Sequence, residues 1–340
     1  MRAIVNTGPN RLEMLEVPMP QPGPGEVRIR TGACGICATD LHMIAGWDRT
    51  SFPAIPGHEW AGAVDAVGEG ADAALIGHKC VAENVLSDGG EVGFEHPGGY
   101  AEYFLTEAAN VQILPSDFPL ALATLIEPLA VCVRGVRRLR SDVAEPVLLF
   151  GDGPIGLLML LLMVRGGARH VVVVGGRDHR LRVATEFGAR RILNYHALGS
   201  DLAVAIRREA EEDFPTVVEA TGSIAAVNAA LELAAPCGRI LILGDYGRAR
   251  ADFPWNHLLH REMELIASNA SAGAWPEAVR LAVESDLSTS PFASLKDKLK
   301  ASLPLDRLVT HRLPSDRFRE GIELVRSRRS EALKVVLEWK

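Results

Sequence analysis

One run constrains this chain more than any other. It is a G-x-G-x-x-G set between an apolar strand and an apolar helix. It lies in VLLFGDGPIGLLML, residues 147–160, with glycines at 151, 153 and 156. The spacing alone is weak, because glycine is common. Here a strand-like run precedes it, a helix-like run follows, and a second strand-like run arrives about twenty residues on. In that setting Gly151 permits the tight turn, Gly153 lets the backbone approach a pyrophosphate, and Gly156 lets helix and strand pack closely. The helix N-terminus adds free N–H groups and the positive end of its dipole. Candidate dinucleotide contacts in this loop are Gly151, Gly153, Pro154, Ile155 and Gly156, with Thr221 after a later strand.

The surrounding pattern alternates strand and helix. Strands are expected at Val147–Phe150, His170–Val174, Thr216–Ala220 and Arg239–Leu243. Helices are expected at Ile155–Arg165, Arg180–Phe187 and Ala225–Ala235. Apolar strands separated by helices imply a parallel sheet covered on both faces. After about Ser268 the pattern is less regular, with a helix expected at Phe318–Arg326 and a final strand at Leu333–Trp339. Residues 1–125 have another texture, rich in Gly and Pro with short runs such as Glu26–Arg30 and Ala61–Val67, which reads as an irregular, mostly β domain.

The end of the second strand bears on which dinucleotide binds. A site for NAD usually carries an acid there for the adenosine ribose. This chain reads VVVVGGRDHRL, with Gly175, Gly176 and Arg177 where the acid would stand. Arg177, with Arg180, can pair with a 2′-phosphate. The expectation is NADP(H) over NAD(H), with Gly176, Arg177 and Arg180 at the site. The alternative is that Asp178 takes the ribose and Arg177 is solvated.

The N-terminal part holds GACGICATDLH, PGHEW and LIEPLAV. Cys34 and Cys37 form a C-x-x-C, but a closed structural zinc site needs four ligands and no second pair exists. A catalytic zinc needs about three protein ligands and an open position. Cys37, His58 and Glu59 could supply them, with Glu127 as a fourth or exchanging ligand. Successive side chains of a strand point to opposite faces. His58 and Glu59 can therefore share a metal only if the chain bends, and Pro56-Gly57 offers the bend. Otherwise Glu59 belongs to the surrounding shell that orients the ligands.

With 340 residues, 48% of them apolar and 23% charged, the chain suits two soluble domains. The formal charge of -7 argues against nucleic-acid or anionic-membrane partners. The most apolar stretch, Ile155–Val164, is about half a membrane span. MRAIVNTGPNRLEML has no apolar signal region, and five sparse cysteines suit a reducing compartment, so a cytoplasmic location is expected.

These motifs resemble the zinc-dependent medium-chain dehydrogenase family over nearly the whole chain. The resemblance rests on G-I-C-A-T-D-L-H, P-G-H-E-W-A-G-A-V, P-G-G-Y-A-E-Y, E-P-L-A-V and G-D-G-P-I-G. LIEPLAV is most similar to sorbitol-type, threonine and related polyol dehydrogenases. The resemblance implies an α/β fold: a Rossmann doubly wound parallel sheet at 129–267 and a GroES-like, mostly β catalytic domain from 1–128 and 268–340. It implies zinc ligands Cys37, His58 and Glu59 with Glu127 close by. Thr39 would bond the substrate oxygen, and His42 would end a proton relay to solvent. Many relatives carry a four-cysteine structural zinc lobe between the equivalents of Glu83 and Gly99. Here that stretch has no cysteine, so one catalytic zinc and no structural zinc is expected. Gly175-Gly176-Arg177 is similar to the pattern of NADP-dependent secondary alcohol dehydrogenases. The expected reaction is hydride transfer between a secondary alcohol, of polyol, sugar or cyclitol type, and the nicotinamide. A homodimer or homotetramer is expected. Trp47, Phe52, Phe94 and Tyr100 are candidates for lining the substrate pocket. The rivals are a zinc-free reductase of the same superfold and a non-catalytic NADPH-binding protein.

Overall fold

The computed structural model describes residues 1–139, 143, 145–199, 201–250, 252–283, 303–327 and 331–340. In chain order the strands are β1 (Arg2–Gly8), β2 (Arg11–Glu16), β3 (Glu26–Ile36), β4 (Glu59–Val67), β5 (Lys79–Ala82), β6 (Tyr103–Glu107), β7 (Val111–Ile113), β8 (Val147–Phe150), β9 (Val171–Gly175), β10 (Arg191–Asn194), β11 (Phe214–Glu219), β12 (Ala234–Ile242), β13 (Glu264–Ala267), β14 (Val309–Pro314) and β15 (Lys334–Glu338). The helices are α1 (Ala38–Ala45), α2 (Leu120–Ala123), α3 (Ile126–Arg138), α4 (Pro154–Arg165), α5 (Asp178–Glu186), α6 (Leu202–Ala210), α7 (Ile224–Leu233), α8 (Trp255–His260), α9 (Trp275–Val283) and α10 (Phe318–Arg326). No described helix is long and apolar enough to cross a membrane.

The chain divides into two compact units. One holds Met1–Ala130 with the described parts of 272–284 and 302–340, and the other is built on Val131–Ser271. In the first unit, β1 and β2 form a hairpin, and a larger sheet runs β14-β15-β3-β4-β5-β7 with β6 also on β3. The long strand β3 organises it, pairing antiparallel with β4, β6 and β15. Its inward residues Val27, Ile29, Cys34 and Ile36 join Trp60, Val64, Tyr100, Phe104, Phe318 and Val335 in one core.

In the second unit a fully parallel six-stranded sheet runs β10-β9-β8-β11-β12-β13. Numbered within the unit, that is the 3-2-1-4-5-6 order of a dinucleotide-binding sheet, whose direction of winding reverses between β8 and β11. Every residue of β8 and β9 is buried, as a parallel sheet covered on both faces requires.

Two strands of this sheet, β10 and β13, have no counterpart in the sequence reading. β12 also begins five residues earlier than expected, at Ala234 rather than Arg239. The helix expected to Ala235 therefore stops at Leu233, and Ala234 turns extended to pair with Phe214. Pro236 keeps the helix from reaching Ala235, because the residue before a proline is driven out of the helical region.

Candidate active site and cofactor loop

Cys37 leaves the end of β3 in an extended conformation and caps α1. Its N–H donates to Asp40 Oδ2 at 2.8 Å. Asp40, fully buried on the first turn of α1, also accepts from Tyr100 Oη at 3.1 Å. Its other oxygen lies 3.3 Å from His58 Nδ1. A buried carboxylate beside the imidazole is placed as outer-shell carboxylates are around ligating histidines. Burial disfavours the His58 imidazolium, but Asp40 and then Cys37 outweigh it and hold its pKa well above the usual value.

The chain turns at Gly57, just before the pair. Gly57 has φ 102°, and a β-carbon there would lie 2.8 Å from Tyr100 N and 2.9 Å from Cys34 Sγ. β4 then starts at Glu59, so His58 precedes the strand and the alternation of faces does not separate the pair. One donor atom from each of Cys37, His58 and Glu59 lies within 4.8 Å of the others. Tetrahedral zinc separates its ligands by roughly 3.5 Å, so a small contraction of this thiolate, imidazole and carboxylate set fits the ion. Asn84 braces the site, donating to His58 O at 2.8 Å and accepting from Trp60 Nε1 at 2.9 Å.

Glu59 has a partner that sequence reasoning missed. Lys334 Nζ, at the start of β15, lies 2.6 and 2.5 Å from its two carboxylate oxygens. The pair is almost fully buried, with side chains 3% and 2% exposed. It passes over β3 at Gly35, which pairs with Glu59 on one side and Val336 on the other. A β-carbon at position 35 would collide with Glu59 Oε2. Burial works against the Lys334 charge, but Glu59, Cys37 and Glu127 together hold its pKa above the usual lysine value. Glu127, in the first turn of α3, is not among the three converging donors. Burial pushes its carboxyl up to about 7, opposed by His58 and Lys334 and reinforced by Glu59 and Glu91.

Thr39 Oγ1 is 3.5 Å from Cys37 Sγ, half-buried, and His42 stands exposed one turn further along α1. Residues three apart share a helix face. The Phe94 ring lies 4.7 Å from the His58 ring, and Trp47 meets Phe94 edge-on at 6.4 Å. Arg49 covers Phe94 and is held by Glu91 and both oxygens of Glu95. Tyr100 is packed and committed to Asp40, and Phe52 is 37% exposed. Cys34 is buried, and burial raises its thiol well above the usual range.

In the second unit, Gly151 has φ 125° and Gly153 caps α4 with Pro154 in the first turn. Ile155 lies on the first turn of α4, where its carbonyl accepts Cys132 Sγ at 3.5 Å. A β-carbon on Gly156 would collide with Gly151 O, whereas one on Gly153 would meet nothing within 4 Å. The three glycines therefore serve turn, helix packing and an open face, respectively for 151, 156 and 153. Asp152 Oδ2 accepts from Gly176 N and Arg177 N, both at 2.8 Å, tying this loop to the end of β9. Tyr195 packs on Gly176, where a side chain would strike its ring. Asp178 accepts from Asn194 Nδ2 at 2.6 Å. Burial and the nearby Arg177 lower the Arg180 pKa to about 10, opposed by Asp152. Thr221 donates through N–H and hydroxyl to buried Glu219, which also accepts from Gly222 N and Tyr246 Oη.

Comparison with known proteins agrees. The profile described as alcohol dehydrogenase GroES-like domain matches residues 23–116, and that of zinc-binding dehydrogenase matches 154–284. L-threonine 3-dehydrogenase of Anaeromyxobacter sp. (strain Fw109-5) is 31% identical, covering 95% of this chain and 94% of that protein. The enzyme of that name from Chelativorans sp. (strain BNC1) is 30% identical, covering 100% and 99%. Among solved structures, an alcohol dehydrogenase from E. coli CFT073 complexed with NADH superposes with TM-score 0.85 at 25% identity, covering 99% of each chain. An alcohol dehydrogenase from Thermus sp. ATN1 has TM-score 0.82 at 26% identity and 100% coverage of both.

The chain thus belongs to the zinc-dependent medium-chain alcohol dehydrogenase family, with a GroES-like domain and a Rossmann domain. It is an NAD(P)-dependent dehydrogenase that works with zinc and a nicotinamide cofactor.

Proposed function

We propose that this enzyme oxidises a secondary alcohol of polyol, sugar or cyclitol type with NADP. One zinc would be held by Cys37, His58 and Glu59, with Glu127 as a fourth or exchanging ligand. The observation that carries this reading is the convergence of thiolate, imidazole and carboxylate within 4.8 Å. When bound, zinc supplies Lewis acidity that lowers the alcohol pKa, and the nicotinamide accepts the hydride.

The chain's own residues do the rest. Asp40 holds His58 in the orientation a ligand needs. Phe94 covers the imidazole and excludes water from it. Thr39 Oγ1, beside Cys37 Sγ, would receive the alcohol proton and pass its own, through the nicotinamide ribose, to exposed His42 and so to solvent. The catalytic role falls to 1–128 with 268–340, and dinucleotide binding to 129–267. There, Gly151, Gly153, Pro154, Ile155 and Gly156 would receive the pyrophosphate, with Thr221 on the next loop. Arg177 and Arg180 beside Gly176 would bind the 2′-phosphate. Gly175, Gly176 and Arg177, standing where an acid for the ribose would be, support NADP. The threonine dehydrogenase relatives support a secondary alcohol as substrate, since the hydroxyl of threonine is on a secondary carbon. Among the described residues β13 pairs only with β12, and its open edge suits self-association as a dimer or tetramer.

The test is metal analysis of the purified enzyme together with a screen of secondary alcohols, polyols and sugars, run in parallel with NAD and NADP. Bound zinc, lost in Cys37→Ser together with turnover, is expected. Full zinc and full turnover in Cys37→Ser would overturn the assignment.

A further inference from the structure

The stretch between β5 and β6 packs directly on the candidate metal site. A β-carbon at Gly93 would lie 2.6 Å from His58 N, and one at Gly98 would lie 2.5 Å from Gly57 O. Phe94, next in the chain, reaches the His58 ring at 4.7 Å with a tilt of 34°. Glu91 O accepts from Phe94 N and His96 N, both at 3.1 Å, so Glu91, Phe94 and Glu95 share one tight turn. Arg49, just after α1, grips that turn from outside. Its Nε and Nη2 donate to the two oxygens of Glu95, both at 2.8 Å, and Nη2 donates to Glu91 Oε1 at 3.0 Å. The guanidinium carbon also stands 4.6 Å from the centre of the Phe94 ring and 5.5 Å from that of Trp47.

We propose that Arg49 is a positioning residue: held by Glu91 and Glu95, it keeps Phe94 against the His58 imidazole and so sets that ring for the chemistry of the site. The proposal rests on the zinc reading for what His58 does, but not for how the ring is held. Guanidinium is the group for this task. Its planar fork takes both oxygens of one carboxylate while it stands over an aromatic ring, whereas an ammonium is a single point charge. Its bond to Glu95 raises the Arg49 pKa and lowers that of Glu95, so both stay charged. The Arg49 and Glu95 side chains are 36% and 39% exposed, and an ion pair that open to water adds little to overall stability. What the pair does supply is orientation. Asp40 stands beside one ring nitrogen of His58 and Phe94 lies against the ring, so the imidazole is constrained from two directions.

The experiment uses the full-length protein with ring-labelled histidine. It reads the His58 ring signal by NMR, with and without zinc, and the rate of zinc release to a chelator. The His58 signal is the one missing from His58→Asn. Phe94→Leu should move it, because the ring current of Phe94 is gone. Arg49→Met should move the same signal in the same direction, in metal-free protein as well, and speed zinc release at least about tenfold. In the Phe94→Leu background, Arg49→Met should change release by less than about twofold, because residues that act through one another are not additive. Arg49→Lys should behave like Arg49→Met, since charge alone does not hold the ring. An unmoved His58 signal in Arg49→Met would overturn the proposal, as would equal acceleration of zinc release in both backgrounds. If Arg49→Met does not fold, Glu95→Gln decides: a moved His58 signal upholds the proposal and an unmoved one refutes it. A signal that moves as expected in a protein that binds no zinc sinks the zinc reading and leaves the role of Arg49 standing.

Discussion

Replacing Arg177 by Ala is the sharpest test of the cofactor site. Arg177 caps α5, and its guanidinium is close enough to help pull the Arg180 pKa down to about 10. Two cations held side by side repel each other in the free protein, and a dianionic 2′-phosphate relieves that repulsion. A hydrogen bond to a charged group is worth about 1.5–3 kcal/mol, which corresponds to roughly 10- to 150-fold in affinity. Arg177 is only partly buried, so the low end applies, and a rise of about 10- to 30-fold in KM for NADP is expected. Kinetics with NAD should change by less than about twofold, because NAD has nothing for the guanidinium to hold. The Arg177→Ala, Arg180→Ala double variant should lose less than the two single losses combined, since removing either cation eases the other. The assay is initial-rate kinetics with both cofactors at saturating alcohol. Equal losses with NAD and NADP would refute the reasoning, because they would mark Arg177 as a support for the loop rather than a phosphate ligand.

Four further outcomes are expected. The preference for NADP over NAD should fade below about pH 6, where a phosphate monoester takes up its second proton. It should fade again above about 10, where Arg180 begins to lose its charge, and a preference flat from pH 5 to 8 would contradict it. Asp40→Asn should weaken zinc binding about 10- to 100-fold, read by chelator competition, and a change within twofold would count against Asp40 orienting His58. Gly35→Ala should destabilise the first unit by about 1–3 kcal/mol in urea unfolding, by forcing Glu59 off Lys334, and neutrality would show that the strand has room. Tyr246 donates to Glu219 at 2.5 Å, and burial with that bond raises its pKa. A raised pKa gives stability that is complete below the unfolded value near 10 and is lost as pH rises toward the folded one. Tyr246→Phe should therefore be less stable than wild type at pH 7, and the gap in Tm should narrow above about pH 10, whereas a constant gap would refute it.

What could be read before any coordinates was what local chemistry decides. The roles of Gly151, Gly153 and Gly156 follow from backbone geometry within a few residues, and the loop observed has that geometry. The bend that lets His58 and Glu59 face one point was visible in Pro56-Gly57 for the same reason. Strands β10 and β13 escaped because RILN and ELIA are short and their edge residues are exposed, so neither period nor apolarity marks them. Asp40 left a trace that went unused: an acid three residues after Cys37 is the pattern of a reciprocal helix cap, and its oxygen does take the Cys37 N–H.

Lys334 left no such trace. In KVVLE it reads as a charged strand terminus, and its partner is 275 residues away. Only the antiparallel return of β15 onto β3 brings the two together, and only the glycine at 35 gives them room. Lysine is almost never fully buried unless paired, so the burial itself is the signal, and it exists only in three dimensions. A buried ion pair is weak evidence for stability, because desolvation cancels most of the attraction. The more direct consequence of this pair is what it does to the neighbouring charges. Here the neighbours are Cys37, Glu127 and the carboxylate that Lys334 holds.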